Sequence, residues 1–389
     1  DLARWAEATD DYPHALYEKC QNLWRTAGAW ISHHEPLKER CAKISLEQDE
    51  LEGLQGQAAE LLGELMAHEE LNTAPIADFL NRVARFLEIL LMGGEQFLEL
   101  YLKERSFTGV KIKCLDASTF LQATYESFHS VVGFSATVKP FDFFRKLSGF
   151  PESTRFEEFP SCFPADNRKV LLIPQISTSY RDRERNYAKI AEAIVRISQC
   201  QPGHYVVFFP SYQFLQRVAE LVEDQVTDVI CQTPNLSRWK IEEIKERLAH
   251  TSSFCLVLAV QGGALAEGID FHGSHFRGVL VVGPGMPSFD YEREQLREYY
   301  QKHYEKGFDY AYTYPAMIRS IQAAGRLIRS EEKRGLLVFM DRRFVREEFA
   351  SLFPAVWYQD SVQELVSTEI LKDIQGFWSS GDHREDISE

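Results

Sequence analysis

The chain has 389 residues, a formal net charge of −15, and 44% hydrophobic and 13% aromatic residues. This length suits two or three domains with cores of their own, and the composition excludes a wholly disordered protein. The acidic balance excludes a surface coated uniformly with basic groups for nucleic acid. It leaves room for a local basic groove, because nearby charges dominate the field at a protein surface in physiological salt.

The cysteines and the hydropathy of the chain limit where in the cell the protein can be located. The seven cysteines are an odd number and contain no C-x-x-C pair, which indicates reduced thiols and neither a disulfide framework nor a metal site. The longest apolar runs, such as FCLVLAV, are too short to cross a membrane, and the first residues have no secretory pattern. We therefore expect no membrane partner and a location in a bacterial cytoplasm or a eukaryotic nucleus. The first residue is Asp and not Met, so we expect a fragment or a processed piece of a protein.

Residues 1–109 have a helical pattern. Apolar side chains recur at spacings of three and four, which places one stripe along a helix; they are Leu51, Leu54, Ala58, Leu61 and Leu65. A second helix begins near Pro75, and an earlier one covers residues 16–31. We predict an all-helical structural subdomain. A dimerising coiled coil is the less favoured alternative, because the heptads are not continuous.

Strand-like runs alternate with helical stretches from residue 110 onward. The predicted strands are KIKCLDA, SVVGFSA, KVLLIP, YVVFFP, TDVIC, SFCLVLAV, GVLVVG and GLLVFM. The predicted helices cover residues 187–199, 214–223, 237–249, 291–304, 317–328 and 343–352. This alternation predicts an α/β fold with a parallel sheet flanked by helices. Ligands of such sheets bind at the carboxyl ends of the strands.

Two predicted strands end in hydroxyl-bearing residues. VVGFSATVKP contains Ser135 and Thr137, whose hydroxyls could relay between a nucleotide site and a neighbouring surface, although Ser-Ala-Thr is also common in turns. YVVFFPSYQFL contains Ser211 and Tyr212. Ser211 either caps the following helix or leaves the first N–H groups of that helix to a phosphate.

The stretch LAVQGGALAEGIDFHG, residues 258–273, follows another strand. Gly262 allows close backbone approach, as a phosphate chain requires. Glu267, Gly268 and Asp270 form an acidic turn in which Asp270 could accept hydrogen bonds from ribose hydroxyls. A solvated loop is the alternative, and the stretch lacks the G-x-G-x-x-G dinucleotide fingerprint.

The stretch IQAAGRLIRS, residues 321–330, gathers positive charge in an acidic protein. On a helix, Gln322, Arg326 and Arg329 share one face, and Gly325 lets another backbone approach it. Paired guanidinium groups aimed at one place suit a phosphate and can stabilise charge in phosphoryl transfer. Solvated surface arginines are the alternative, and this stretch by itself leaves both open.

The order of these four stretches resembles motifs III to VI of superfamily 2 helicases. SAT, FFPSY, GGALAEGIDF and QAAGRLIR follow one another within residues 110–350, and they are most similar to the XPD/DinG branch of ATP-dependent DNA helicases. The resemblance implies a helical arch at residues 1–109. It also implies the end segment of a first RecA-like domain at 110–145, a second RecA-like helicase domain at 146–389, and work in DNA repair.

The resemblance further implies a role for each motif residue. Arg326 and Arg329 would face the γ-phosphate of ATP, while Gln322 would place the nucleotide or water. The rest of the nucleotide would be held by Gly268, Asp270, Glu267 and Gly325. Ser135 and Thr137 would couple hydrolysis to the nucleic acid. Single-stranded DNA would lie along a candidate DNA track of Ser211, Tyr212, Gln232, Thr233 and Gly262, with Tyr212 stacked on a base.

Two helicase motifs, the G-x-x-x-x-G-K-[ST] P-loop and the D-E-A-H box, do not occur in the 389 residues. ATP and Mg²⁺ would be shared with a first motor domain, which would also carry the family's iron–sulfur cysteines. We expect that domain in the same full-length protein or on a separate chain. Because half a cleft cannot hold Mg·ATP productively, we predict that this chain alone is inactive.

Two other functions stay open. One is a non-catalytic scaffold with a RecA-like fold that binds nucleic acid or a partner. The other is an unrelated α/β enzyme that uses Ser211 or Cys255 as a nucleophile. The second is disfavoured, because no G-x-S-x-G elbow surrounds Ser211 and Cys255 lies within an apolar strand.

Overall fold

A computed structural model describes residues 13–36, 39–46, 48–66, 74–104, 108–251, 253–268, 275–328 and 330–382. The chain forms two compact units. The first contains the chain up to His129 together with Leu147–Phe150 and Phe289–His303. The second contains Ser130–Lys146, Pro151–Ser288 and the chain from Tyr304 onward.

The strands are β1 (Cys41–Lys43), β2 (Phe97–Lys103), β3 (Thr108–Cys114), β4 (Arg168–Ile173), β5 (His204–Phe209), β6 (Val229–Cys231), β7 (Cys255–Val260), β8 (Phe276–Val282) and β9 (Gly335–Met340). The helices are α1 (His14–His33), α2 (Gln48–Met66), α3 (Ala74–Met92), α4 (Ser118–Tyr125), α5 (Phe141–Leu147), α6 (Arg183–Ser198), α7 (Tyr212–Glu223), α8 (Arg238–His250), α9 (Ala264–Gly268), α10 (Tyr291–Tyr304), α11 (Tyr314–Ala324), α12 (Glu347–Ala350) and α13 (Ile370–Asp382). A π-helical turn, Asp309–Thr313, leads into α11.

The first unit has a helical core beside a small sheet. Leucines of α1, α2 and α3 pack together, and the predicted stripe is confirmed where it is described, because Leu54, Leu61 and Leu65 are buried. Strands β1, β2 and β3 form an antiparallel sheet in that order. The helical pattern did not predict this sheet, whose strands are three to seven residues long. The run KIKCLDA falls here, in β3, and not in the parallel sheet.

The second unit is built on six parallel strands in the order β4–β9–β8–β5–β7–β6. Every residue of β5, β7 and β9 is buried, as strands covered on both faces require. The chain crosses the sheet in one direction from β4 to β6 and returns through β7, β8 and β9. Right-handed crossovers therefore place α6 and α7 on one face and α8 and α11 on the other. The predicted α/β fold is confirmed.

Two local predictions in this unit are wrong. The strand predicted at SVVGFSA does not form, and Val132 and Phe134 in it are 82% and 92% exposed. A strand needs a ladder partner, and none of the described strands pairs with this segment. The helix predicted to reach residue 328 ends at Ala324, because the chain turns at Gly325.

Candidate functional site

The motif residues of the second unit meet at the carboxyl edge of its sheet. Each strand there is followed by polar or glycine residues: Ser177 and Thr178 after β4, Ser211 after β5, Gln232 after β6, Gln261 and Gly262 after β7, Gly283 and Gly285 after β8, and Asp341 after β9. Parallel strands bring these positions to one edge, although they are far apart in sequence.

Gln232 ties three elements of the candidate DNA track together. Its side chain is 2% exposed. Its Oε1 accepts a hydrogen bond from the backbone N–H of Val260 at 3.0 Å, and its Nε2 donates to the hydroxyl of Tyr212 at 3.0 Å. Ser211 caps α7 by accepting from the N–H of Phe214, which confirms the capping alternative.

Gly262 has a φ of +71°, in the left-handed region that favours glycine. A Cβ built there would lie 3.9 Å from Cδ and Nε of Arg319, so this arginine of α11 borders the track. Motif matching missed Arg319. Its spacing could have found it, because it lies three residues before Gln322 on the same helix.

A buried network holds α11 against the ends of β7 and β8. Gln261 donates from Nε2 to the carbonyl of Gly283 at 2.7 Å and accepts from the hydroxyl of Ser320 at 2.9 Å. The same hydroxyl oxygen accepts from the N–H of Gly285 at 3.3 Å. Because these groups are buried and satisfied, α11 has a defined position on the sheet.

The other end of α11 reaches the SAT segment. Gln322 donates from Nε2 to Oγ1 of Thr137 at 3.0 Å. The N–H of Thr137 in turn contacts the hydroxyl of Ser135 at 3.3 Å. A cavity of about 700 Å³ lies between this segment and α11, and Thr137 and Ile321 both line it.

The phosphate-binding residues of the prediction are described only in part. Gly325 follows α11, and its N–H donates to the carbonyl of Ile321 at 2.8 Å. Arg326 lies in the turn beyond it and is half-buried. The expectation that Arg326 shares a helix face with Gln322 is therefore wrong, because the helix has already ended. Arg329 lies outside the described residues.

The acidic turn is also incomplete in the structure. Gly268 is the last residue of α9, and the backbone of Glu267 belongs to the same helix. The side chain of Glu267 and the whole of Asp270 lie outside the described residues. Their expected contacts with the ribose stay a prediction.

A second polar cluster joins the ends of β4 and β9. Asp341 is 1% exposed and accepts hydrogen bonds from the N–H and hydroxyl of Thr178 at 2.7 and 2.6 Å and from Nε of Arg343 at 2.9 Å. Burial raises the pKa of Asp341, but the hydrogen bonds and charge of Arg343 outweigh it and hold that pKa below its usual range. Sequence reasoning missed this cluster, although DRRF directly follows a predicted strand.

The family comparison covers most of this sheet. Residues 194–360 match the family model described as the helicase C-terminal domain. This part of the chain is similar to helicase C-terminal domains. The resemblance to XPD/DinG-type superfamily 2 helicases is confirmed by this match together with the XPD and chl1 relatives that follow.

Several curated proteins are similar to the chain. The helicase subunit XPD of general transcription and DNA repair factor IIH from Schizosaccharomyces pombe is 28% identical over 282 residues, which cover 66% of this chain and 35% of that protein. The corresponding XPD/RAD3 subunit of Saccharomyces cerevisiae is 25% identical, with 61% and 33% covered. The ATP-dependent DNA helicase chl1 of Aspergillus clavatus is 22% identical, with 76% and 46% covered. The chain thus spans between a third and a half of the length of these relatives.

Solved structures support the fold. A structure titled XPD helicase aligns with a TM-score of 0.55 and 19% identity, over 86% of this chain and 60% of the other. The structure of S. tokodaii Xpd4 aligns with a TM-score of 0.54 and 17% identity, over 90% and 65%.

Within residues 194–360, the alternative of a serine or cysteine nucleophile loses support. Burial, with the nearby carboxylate of Asp228, raises the pKa of Cys255 to about 12, so its thiol is not ionised at neutral pH. Ser211 is used as a helix cap.

No group of three or more His, Cys, Asp or Glu side chains in the described part of the chain is arranged to hold a metal ion. Among the described helices, none is long and apolar enough to cross a membrane.

Proposed function

We propose that this chain is the C-terminal motor part of an ATP-dependent DNA helicase that couples ATP hydrolysis to translocation along single-stranded DNA in DNA repair. The observation that carries the proposal is the set of contacts made by one helix. On α11, Arg319 borders Gly262 of the candidate DNA track, and Gln322 is hydrogen-bonded to Thr137 of the SAT segment. The same helix leads directly to Arg326.

In this proposal α11 connects three ligand regions through a rigid element. Ser211, Gln232, Thr233 and Gly262 hold the DNA backbone, with Tyr212 beside them. Ser135 and Thr137 sense hydrolysis through Gln322. Arg326 and Arg329 neutralise the triphosphate, and Gly268, Asp270, Glu267 and Gly325 border the nucleotide. Because Gln261 and Ser320 lock α11 onto the sheet, a change at one end of the helix is transmitted to the other.

The described residues are better suited to binding phosphate groups of DNA and ATP than to binding Mg²⁺. Mg²⁺ prefers carboxylate and water oxygens, but the buried carboxylate at this edge, Asp341, is already saturated by Thr178 and Arg343. The P-loop and D-E-A-H box are also missing from the 389 residues. The proposed partner is a first RecA-like domain that brings these groups, on the same protein or a separate chain.

The test is ATP turnover in a protein that combines this chain with a P-loop motor domain. Single-stranded DNA should stimulate turnover. Arg326→Ala should reduce kcat on the order of 10³-fold, because the guanidinium stabilises charge that develops in the transition state. Arg196→Ala is the matched control, since Arg196 is exposed and pairs with Glu192 on α6. Unchanged turnover in Arg326→Ala would remove the arginine from the mechanism.

A scaffold without turnover is the second candidate. The exposure of Val132 and Phe134, two large apolar side chains close together in the sequence, favours it, because clustered exposed apolar groups mark partner interfaces. A protein that binds single-stranded DNA tightly, but shows no DNA-stimulated turnover with any P-loop domain supplied, would support the scaffold over the motor.

A further inference from the structure

Trp239 lies in the first turn of α8 and is 72% exposed. Since α8 follows β6, this turn is at the same carboxyl edge as Gln232, whose side chain is bonded to Tyr212. The helix is held to the domain by Ile244 and Leu248, which are buried. The packing of α8 therefore does not need the indole of Trp239.

The surroundings of the indole are positively charged. Nζ of Lys240 lies 5.6 Å from the centroid of the Trp239 ring, within the range of a cation–π contact. The stretch from Gln232 to Lys240, QTPNLSRWK, contains two basic residues and no acidic one. Glu243 pairs with Lys240 and Glu242 pairs with Lys245, each at 2.8 Å. These two pairs are balanced, so the guanidinium of Arg238 leaves the turn with one net positive charge. This local balance is opposite to that of the whole chain.

An exposed aromatic ring flanked by cations suits single-stranded nucleic acid. A base stacks on the ring, and the cations neutralise the phosphates on either side. A hydrophobic peptide would instead need an apolar groove, whereas Ser237, Arg238 and Lys240 around the indole are all exposed polar residues. The chemistry of the turn therefore favours nucleic acid over a protein partner.

We propose that Trp239 is a stacking platform for a base of single-stranded DNA, with Arg238 and Lys240 on the flanking phosphates. The platform extends the candidate DNA track beyond Gln232 and Thr233, which lie on the same β6–α8 connection. The inference rests on the proposed function, because it takes single-stranded DNA as the ligand. Since every base has a face to stack, the contact adds affinity without sequence preference.

The test is binding of a labelled oligothymidylate to the chain, measured by fluorescence anisotropy. Trp239→Ala should weaken binding roughly 5- to 150-fold, which corresponds to the loss of one stacked base. Trp239→Phe should retain most of the affinity, because it keeps a ring. Tyr180→Ala is the matched control: Tyr180 is 80% exposed and has the Arg183 guanidinium 4.3 Å from its ring. It follows β4, the outermost strand on the side of the sheet away from β6.

An abasic oligonucleotide separates stacking from folding. It keeps the phosphates but offers no base, so the wild-type chain should bind it more weakly and Trp239→Ala should bind it as the wild type does. An equal loss on both ligands would mean that the variant disturbs the domain, and it would overturn the platform. Binding of oligothymidylate that Trp239→Ala leaves unchanged would overturn this inference alone. A wild-type chain that binds no oligonucleotide would overturn both this inference and the DNA-binding part of the proposed function.

Discussion

Gln322 and Thr137 are 185 residues apart in the sequence, yet Nε2 of the glutamine lies 3.0 Å from Oγ1 of the threonine. The hydrogen bond joins α11 to the segment that precedes α5. It is exposed, so its net contribution to stability is small, about 1 kcal/mol or less. The hydrogen bond matters because of the two elements that it connects. Helix α11 is held on the sheet by buried hydrogen bonds, whereas the segment that contains Thr137 belongs to no strand or helix.

Removing either partner should uncouple the two elements. In a protein that contains a P-loop domain, we expect Thr137→Val and Gln322→Ala to lower DNA-stimulated ATP turnover by similar factors. The double variant should be no worse than either single variant, because both remove the same bond. Stimulation by DNA is measured as the ratio of kcat with and without oligonucleotide. Thr154→Val, elsewhere in the same unit, should leave this ratio unchanged, and multiplied losses in the double variant would contradict the coupling.

Arg319 should contribute to phosphate binding in the track. Its Cδ and Nε atoms lie 3.9 Å from the position that a Cβ would take on Gly262. We expect Arg319→Ala to weaken oligothymidylate binding uniformly across sequences and to reduce the slope of log K against log salt by about one. The measurement is a salt titration, with Arg217→Ala on the exposed face of α7 as control. An unchanged salt slope would exclude a phosphate contact at Arg319.

The parallel sheet could be predicted from sequence, because its strands are buried on both faces. Runs such as YVVFFP and GLLVFM are continuously apolar, and they became β5 and β9. The same rule failed at SVVGFSA. The composition of that run suits a strand, but strand formation depends on a neighbour, and the described strands offer none. The local sequence pattern thus shows that a segment could form a strand, but it does not show which strand it would pair with.

The candidate site was predictable in position but not in its contacts. Gly262 was located because it follows a strand, and parallel strands bring their carboxyl ends together. Gln322 was located by helix spacing, and Gln232 by the resemblance to helicases. The bond from Gln322 to Thr137 and the cluster around Asp341 could not be foreseen, because they depend on which strands are neighbours. Helix periodicity also misled at Arg326, where Gly325 ends α11 before the expected face is complete.

Asp341 should be a large contributor to the stability of the second unit. Asp341→Asn removes the charge that faces Arg343 and disturbs two hydrogen bonds from Thr178, so we expect a loss on the order of 3 kcal/mol at pH 7. The folded pKa is depressed, so the carboxylate stabilises the fold above the unfolded value of about 4 and loses this effect as pH falls below it. Urea unfolding of wild type and variant should therefore converge at acid pH.

The control for that series is Asp224→Asn, at the exposed end of α7. It should change the free energy of unfolding by about 0.5 kcal/mol or less. A constant difference between wild type and Asp341→Asn from pH 7 down to the acid limit would contradict the assigned role of the charge.

His204 should make stability fall at mildly acidic pH. It is fully buried in β5, and its Nε2 lies 2.7 Å from the carbonyl of Thr251 and 3.2 Å from that of Leu248, which fixes the proton on Nε2. Within the described part of the chain, Nδ1 has no hydrogen-bond partner. A second proton would therefore be buried without an acceptor, and burial lowers the pKa of His204.

Because the pKa of His204 is lower in the folded chain than in the unfolded chain, the free energy of unfolding decreases as pH falls. The unfolded chain takes up a proton near pH 6.5 while the folded chain resists it, so stability is complete above that pH and is lost as pH falls. His204 changes the free energy of unfolding by at most about 1.4 kcal/mol per pH unit. His204→Gln keeps a donor for the carbonyls but cannot titrate, so unfolding free energies measured between pH 7 and pH 5 should fall less steeply in the variant. His129→Gln, on the surface, should leave the slope as it is, and a variant as steep as the wild type would exclude His204 as the group that titrates.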